Sequence, residues 1–375
     1  MSATPGRVVI KLGTSTLTGG TAFLDRERML ETVRAVSALH REGWQVAVVS
    51  SGAVAAGREA LGGPKLPSDT CYKQMLSSVG QGRLFEIWED LFSIYKLRIG
   101  QLLLTRADLE NRERYLNARE TLQALFEYDV IPVINENDAL SVSDIKIGDN
   151  DTLAALIGVM IDAKKVILLT DQDGLYSADP RADKNARLIR SVPEVNAEIL
   201  ALAGGAGSAQ GTGGMATKVR AASVATSAGV GFVIASGNNP QQLPALARGE
   251  GVGTFFEPSR HPVLQRKSWL SSATISQGRI IVDAGAARAL AQKGSSLLPS
   301  GIVRVEGDFL RGAIVDIAGA DGKELARGIA RYGSDDLRLI RGRHSDEIEN
   351  ILGFTHGAVA VHRDDLALRS AHERS

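Results

Sequence analysis

Carboxylate and amide side chains are concentrated between two apolar runs in the segment VINENDALSVSDIKIGDNDTLAALIG, residues 133–158. The carboxylates are Glu136, Asp138, Asp144, Asp149 and Asp151, the amides are Asn135, Asn137 and Asn150, and the only cation is Lys146. Because carboxylates repel one another, a packed fold gathers them where a cation or a donor-rich ligand compensates their charge. The segment therefore predicts a ligand that carries positive charge, with a solvated acidic loop as the alternative.

Two lysines suggest phosphate chemistry. Lys11 lies inside the apolar run VVIKLG, where a buried ammonium is costly unless it reaches a partner. The alternative is a strand-end lysine whose ammonium reaches solvent. Lys218 ends GTGGMATK, in which glycines run directly into a helical segment, an arrangement that suits the end of an ATP triphosphate. Phosphoryl transfer needs mainly positioning and electrostatic stabilisation, so two lysines and a magnesium ion suffice for it.

Glycine turns follow several apolar runs, and such turns bind phosphate when backbone N–H groups and a helix N-terminus face the anion. The Walker pattern G-x-x-x-x-G-K-[ST] is absent, which disfavours a P-loop nucleotidase. A dinucleotide-binding fingerprint is also absent, because KLGTST has one glycine and GGAGSAQGTGG follows no clear strand. Each remaining glycine turn, taken alone, is typical of any βα corner.

The elements that must position these residues alternate along the first two thirds of the chain. Six apolar strand-like runs, RVVIKLG, WQVAVVSSG, RIGQLLLT, VIPVIN, KVILLTD and GFVIAS, are separated by helix-sized segments. This pattern predicts an α/β fold with a mostly parallel sheet covered on both faces. Ligands bind such sheets beyond the carboxyl ends of the strands, where Gly13–Ser15, Ser51–Gly52, Asn135–Asp138 and Thr170–Asp171 are expected.

The sequence pattern changes after about Thr254, and this change predicts two domains. A proline-containing basic stretch comes first, followed by short β-type runs broken by glycines and by one helical pattern, Ala284 to Lys293. We predict a first domain over 1–258, a linker over 259–276, a small β-rich domain over 277–357 and a C-terminal tail over 358–375.

Composition excludes several classes of protein. The chain has 375 residues, of which 44% are hydrophobic and 23% charged, values ordinary for a globular protein. Lys plus Arg and Asp plus Glu number 43 each, so no global field favours nucleic acid or a membrane surface. The single cysteine, Cys71, excludes an internal disulfide and is expected to be buried. With no signal-peptide pattern and no long apolar segment, a cytoplasmic location and no membrane association are predicted.

Six motifs, VVIKLGTSTLT, SSGAVAAGRE, VINENDA, IGDND, LLTDQDGLYSADPR and GTGGMATK, occur in the order found in the glutamate 5-kinases. The chain resembles this family, a branch of the amino-acid kinase superfamily, over about residues 7–260. Its segment 277–357 resembles the PUA domain of bacterial members. TDQDGLYSADPR identifies only the superfamily, whereas VINENDA with IGDND and a PUA-like domain is more specific. The resemblance implies an amino-acid-kinase-like sandwich around the sheet.

The resemblance also implies an activity: ATP-dependent phosphorylation of the γ-carboxylate of L-glutamate, the first step of proline biosynthesis. The positively charged group expected at the acidic segment is then the substrate's α-ammonium. By matching motifs, Ser51, Asp138 and Asn150 bind glutamate, with Asn135 as a weaker addition. Catalytic roles fall to Lys11 and Lys218, which flank the migrating phosphoryl group, and to Asp151, which orients the two lysines through charge-assisted hydrogen bonds.

The nucleotide site carried over from the family joins three parts of the chain. Its residues are Lys11, Thr170, Asp171, Thr212, Gly213, Gly214, Met215, Ala216, Thr217 and Lys218. Magnesium is expected to bind the ATP phosphates with few protein ligands, and no His or Cys cluster predicts a further metal site. The expected partners are proline as a feedback inhibitor, further copies of this chain in a homo-oligomer, and a separate glutamyl-phosphate reductase.

Other activities remain as alternatives. Within the superfamily these are acetylglutamate, aspartate, carbamate and UMP kinases; an N-acetylated substrate has no ammonium for the acidic segment, and the C-terminal region does not resemble a regulatory ACT domain. RNA binding through the PUA-like domain is the alternative of another class. Residues 277–375 hold 14 Lys and Arg and 14 Asp and Glu, so this region has no basic footprint.

Overall fold

The structure is a computed structural model that describes residues 5–67, 69–140, 150–180, 183–204, 214–260 and 276–368. The chain divides into two compact units. The first comprises Met1–Glu110 and Asn117–Pro262, and the second comprises Asn111–Leu116 and Val263–Ser375.

Eight strands form the sheet of the first unit, in the order β3-β4-β2-β1-β5-β7-β8-β6. Their bounds are β1 Arg7–Leu12, β2 Gln45–Ser50, β3 Arg98–Leu104, β4 Val130–Glu136, β5 Lys165–Thr170, β6 Ser191–Val192, β7 Gly231–Ser236 and β8 Thr254–Phe256. Neighbouring strands run parallel except β7 and β8, which are antiparallel. The predicted α/β class and mostly parallel sheet are confirmed.

The central strands are buried on both faces. In β1, β2, β4, β5 and β7 every residue after the first is buried, whereas the edge strand β3 is only partly covered. A parallel sheet covered by helices on both faces requires such continuous apolar runs. This explains why the six strand-like runs of the sequence coincide with six strands of the sheet.

Ten helices are described between these strands. Their bounds are α1 Thr14–Thr18, α2 Arg26–Arg41, α3 Ala53–Ala60, α4 Thr70–Ser93, α5 Arg106–Glu110, α6 Arg112–Glu127, α7 Asn150–Met160, α8 Ala197–Gly204, α9 Met215–Ser227 and α10 Leu243–Arg248. Asp25 caps α2 by accepting hydrogen bonds from the backbone N–H groups of Glu27 and Arg28. Gly43, with φ +87°, follows the end of that helix, as its sequence pattern predicts.

Helices α3 and α4 cross with their backbones in contact. A Cβ added to Gly57 would lie 1.9 Å from the carbonyl oxygen of Leu76, and one added to Gly80 would lie 1.9 Å from that of Ala53. Only glycine at both positions permits this approach. Because α3 begins directly after Ser51 and Gly52, the crossing fixes α4 relative to the end of β2.

Five strands form the sheet of the second unit, in the order β10-β9-β11-β12-β13. The bounds are β9 Gly278–Val282, β10 Ile302–Glu306, β11 Ile314–Gly319, β12 Glu324–Ala330 and β13 Val361–Leu368, with helices α11 Ala284–Lys293, α12 Ser334–Ile340 and α13 Ile348–Leu352. Strands β9 and β11 are parallel, and the other neighbours are antiparallel. The predicted β-rich second region is confirmed.

Two sequence expectations differ from the structure. Residues 361–368, placed in a C-terminal tail, form the edge strand β13, whose Leu368 pairs with Ala326 of β12. Its apolar pattern is interrupted by Arg363, Asp364 and Asp365, of which Asp365 is buried and pairs with Arg112 at 3.2 Å. The expectation that Cys71 is buried was wrong, because it lies exposed in the first turn of α4. In the described parts of the chain, no helix is both long and apolar enough to cross a membrane.

Candidate active site

The ends of four neighbouring strands bring the candidate residues to one edge of the first sheet. Strands β4, β2, β1 and β5 are adjacent and parallel, so their carboxyl ends share that edge. Lys11 lies near the end of β1, Ser51 follows β2, Asn135 lies near the end of β4, and Thr170 ends β5. Helix α7 begins at the same edge with Asn150 and Asp151.

Asp151 binds both candidate lysines. Its Oδ1 lies 2.5 Å from Lys11 Nζ, and its Oδ2 accepts a hydrogen bond of 2.9 Å from Lys218 Nζ. All three side chains are buried, with Asp151 only 1% exposed. One residue comes from a strand and two from the first turns of α7 and α9, so three separate elements meet at one carboxylate.

The electrostatics of this group favour an anionic ligand. Burial raises the pKa of the Asp151 carboxyl, but the ammonium groups of Lys11 and Lys218 lower it by more, so the net pKa is below its ordinary value. Two ammonium groups thus share one buried carboxylate in the described contacts. Paired ammonium groups of this kind are a suitable arrangement for binding a phosphate group.

A second group of side chains surrounds Asn150. Its Nδ2 donates to Ser51 Oγ at 2.9 Å, to Asn135 Oδ1 at 3.0 Å and to the carbonyl oxygen of Ser50 at 3.1 Å. Its Oδ1 is buried and accepts no hydrogen bond from any residue that the structure describes. Three of the predicted glutamate-binding residues, Ser51, Asn135 and Asn150, are therefore in one hydrogen-bonded cluster with an acceptor available for a ligand.

Helix α4 contributes residues that sequence reasoning missed. Ser77 Oγ donates to Asp138 Oδ2 at 3.2 Å, Gln81 Oε1 accepts from Asn135 Nδ2 at 2.8 Å, and Trp88 Nε1 donates to Ser50 Oγ at 3.0 Å. Their positions repeat at helical spacing on the inward face of α4. Polar side chains at 77 and 81 among the buried Leu76, Leu84 and Trp88 were the available signal.

The predicted nucleotide-binding residues fall into two places. Thr170 is buried, and its Oγ1 donates to Oδ1 of the exposed Asp171 at 2.9 Å. Gly214 caps α9, Met215, Ala216 and Thr217 form its first turn, and Thr217 Oγ1 donates back to the Gly214 carbonyl at 2.8 Å. Lys218 joins this turn to Asp151. Thr212 and Gly213 lie outside the described residues.

Part of the acidic segment also lies outside the described residues, namely Asp144, Lys146 and Asp149. Within it, Glu136 and Asp151 are buried and Asp138 is half-buried. Among the described residues, no group of three His, Cys, Asp or Glu side chains has an arrangement that holds a metal ion.

Two family models and several relatives match the chain. The model of the amino acid kinase family matches residues 6–236, and that of the PUA domain matches residues 278–352. The chain is 52% identical to the glutamate 5-kinase of Sodalis glossinidius over 361 residues, which cover 96% of this chain and 98% of that protein. It is 50% identical to the glutamate 5-kinase of Vibrio parahaemolyticus, with 97% and 96% covered, and 52% identical to that of Photorhabdus laumondii, with 96% and 97% covered.

Proposed function

The chain belongs to the amino acid kinase family, among the glutamate 5-kinases, and on this premise we propose how its residues carry the reaction. It phosphorylates the γ-carboxylate of L-glutamate with ATP and so produces γ-glutamyl phosphate for proline biosynthesis. The observation that carries the proposed assignment of residues is the adjacency of Asn150 and Asp151, which join an amide cluster to a pair of buried lysines.

Glutamate binds at the amide cluster. The substrate's α-ammonium donates to Asn150 Oδ1 and to the carboxylate of Asp138, while donors such as Ser51 Oγ face its carboxylate groups. This arrangement explains a preference for a free amino acid, because an N-acetylated substrate offers no ammonium and leaves the carboxylate of Asp138 poorly compensated.

The lysines act on the phosphoryl group. Lys11 and Lys218, held by Asp151, lie on either side of the position that the γ-phosphoryl group crosses, and their ammonium groups neutralise the charge that its oxygens gain. Asp151 fixes both ammonium groups before ATP binds, so little reorganisation is needed during the reaction. A general base is unnecessary, because the attacking γ-carboxylate has a reference pKa near 4.3 and is ionised at neutral pH.

In this proposal ATP binds between the end of β5 and the start of α9. Backbone N–H groups of the first turn of α9, at Met215 and Ala216, face the phosphates, and Thr170 and Asp171 lie on the nucleotide side. A magnesium ion bound with ATP would neutralise phosphate charge and would need few protein ligands, as is usual for this ion. We further propose proline as a feedback inhibitor, a homo-oligomeric assembly, and a separate reductase that consumes the labile acyl phosphate.

An ADP-release assay across four acceptors tests this proposal. Purified protein with saturating ATP and magnesium is given glutamate, N-acetylglutamate, aspartate or UMP at equal concentrations. Glutamate is expected to support turnover at least about tenfold faster than the others. For N-acetylglutamate this ratio is expected because the substrate brings no ammonium to Asn150 Oδ1 and the half-buried Asp138. Equal turnover with N-acetylglutamate would contradict the proposed role of the amide cluster.

A further inference from the structure

Five residues form a closed hydrogen-bonded ring that begins and ends on α4. Gln81 accepts from Asn135, Asn135 accepts from Asn150, Asn150 donates to the Ser50 carbonyl, and the Ser50 hydroxyl accepts from Trp88. Gln81 and Trp88 lie seven residues apart, two turns of the same helix. The ring therefore connects the ends of β2 and β4 and the start of α7 to one rigid element.

Backbone groups fix the direction of the hydrogen bonds in this ring. The Ser50 carbonyl can only accept, so Asn150 must present Nδ2 to it, and its Oδ1 must face the other way. The backbone N–H of Glu136 can only donate, and it donates to Asn135 Oδ1 at 2.9 Å. Asn135 must therefore present Nδ2 to Gln81, so Gln81 must present its carbonyl oxygen Oε1 to Asn135.

We propose that Gln81 is a positioning residue for glutamate: its carbonyl oxygen completes the amide ring that holds Asn150 Oδ1 toward the substrate's ammonium. Gln81 itself touches no substrate atom in this scheme. It accepts the hydrogen bond of Asn135 Nδ2, and Asn135 in turn keeps the Asn150 amide in its place. The inference rests on the proposed binding of glutamate at the amide cluster and adds a residue of α4 to it.

Without the Gln81 acceptor, the buried Asn135 loses a partner for its Nδ2. A half-turn flip of the Asn135 amide would avoid that unsatisfied donor. The flip would, however, place Nδ2 where Oδ1 now accepts from the Glu136 N–H and from Asn150 Nδ2, so that donors would face donors. Either outcome disturbs the acceptor offered to glutamate and leaves the lysines on Asp151 in place. The ring thus predicts an effect on glutamate affinity that is separate from the chemical step and from ATP.

The test compares Gln81→Met, which keeps length and helix propensity and removes the strong acceptor, with Gln81→Glu, which keeps an acceptor at the same place. Gln81→Met is expected to raise the KM for glutamate roughly tenfold, with kcat within about threefold and the KM for ATP unchanged. Gln81→Glu is expected to stay within about threefold of wild type in all three constants, because its carboxylate still accepts from Asn135. A matched control is Gln123→Met, at an exposed position of α6 where the side-chain amide donates to Glu127 Oε1 at 3.4 Å.

A double-mutant cycle separates the ring from a general effect on folding. In an Asn135→Ala background the ring is already broken, so Gln81→Met is expected to change the KM for glutamate less than about twofold. If Gln81→Met does not fold, Gln81→Leu replaces it in the same cycle. An unchanged glutamate KM in the folded variant, or an equal rise of both substrate KM values, would overturn the proposal.

Wild-type protein in the same assays distinguishes this inference from the proposed function. If wild type does not turn over ATP with glutamate, the proposed function fails. If wild type is active with glutamate and Gln81→Met matches it in every constant, only the positioning role of Gln81 fails.

Discussion

Asn150 and Asp151 are consecutive residues, yet their side chains belong to different halves of the site. Asn150 donates to Ser51 and Asn135, whereas Asp151 binds Lys11 and Lys218. Successive residues in the first turn of a helix project about 100° apart, which allows one turn of α7 to serve both groups. The proposed acceptor site and phosphoryl site are thereby held at a fixed separation.

Substitution of either lysine should reduce kcat far more than it changes KM. We expect Lys11→Ala and Lys218→Ala each to lower kcat by about two orders of magnitude or more, comparable to the loss of one oxyanion-stabilising donor. The KM for glutamate should move less, because the ammonium groups act mainly on transition-state charge. Steady-state kinetics would show this, with Lys73→Ala on the exposed side of α4 as the control. A folded Lys218→Ala protein with wild-type kcat would remove Lys218 from the mechanism.

Replacing Asp151 should destabilise the protein in a pH-dependent way. Asp151→Asn leaves two buried ammonium groups without their carboxylate, which costs about 3 kcal/mol or more at pH 7. Because the folded-state pKa of Asp151 is lowered, its stabilisation is present above the unfolded pKa near 3.9 and is lost as pH falls through the folded value.

The difference in unfolding free energy between wild type and Asp151→Asn should therefore be largest near neutral pH and shrink below about pH 4. Urea unfolding followed by circular dichroism at several pH values measures it. A difference that stays constant down to pH 3 would show that the ion pairs do not stabilise the fold.

Two glycines of α4 should respond oppositely to alanine. A Cβ on Gly80 would lie 1.9 Å from the Ala53 carbonyl oxygen, so Gly80→Ala should destabilise the protein by about 3 kcal/mol or more and weaken glutamate binding by displacing α4. Gly82 is exposed with no atom within 4 Å of an added Cβ, so Gly82→Ala should stabilise it by about 0.5–1 kcal/mol. Thermal unfolding of the two variants gives the comparison. Similar melting temperatures for both would contradict the described crossing of α3 and α4.

Proline should compete with glutamate. It shares an α-carboxylate and a protonated nitrogen with the substrate, and the pocket around Asn150 and Asp138 recognises these groups in the proposed site. By linkage, proline must weaken glutamate binding by the same factor by which glutamate weakens proline binding. Calorimetric titrations of each ligand in the presence of the other measure both factors; independent binding would place proline elsewhere.

Truncation after residue 276 should leave a folded, active kinase. Every residue assigned to the reaction lies at or before Lys218, and a domain of some 260 residues buries roughly 70–75% of its unfolded surface. Leu116 is buried with Ile329 and Ala367, so its exposure is expected to reduce solubility, which Leu116→Gln in the truncated chain should restore. Turnover at saturating substrates is the measurement, with circular dichroism as the check on folding. A folded truncated protein without turnover would show that the β-rich region completes the active site.

The sequence by itself determined the class of fold and indicated the residues proposed for the site. Strands buried on both faces must be continuously apolar, so the sequence predicted the strands that include Lys11, Asn135 and Thr170. The ends of these strands in turn predicted the sheet edge at which the candidate site lies. An ammonium inside such a strand needs a buried partner, so the position of Lys11 indicated a functional role. Strand β13 was not predicted, because the charged residues at 363–365 interrupt its apolar pattern, and only the fold shows that the buried Asp365 pairs with Arg112.

Only the tertiary structure decided which side chains meet. The pairing of Asp151 with Lys11 and Lys218 joins residues 140 and 67 positions apart in the chain, and no local pattern encodes that distance. Gln81 looked like any polar residue of an amphipathic helix, since helical periodicity identifies the buried face and not the groups it contacts. Its proposed role depends on the contact between α3 and α4 at Gly57 and Gly80, which places that face against the ends of β2 and β4.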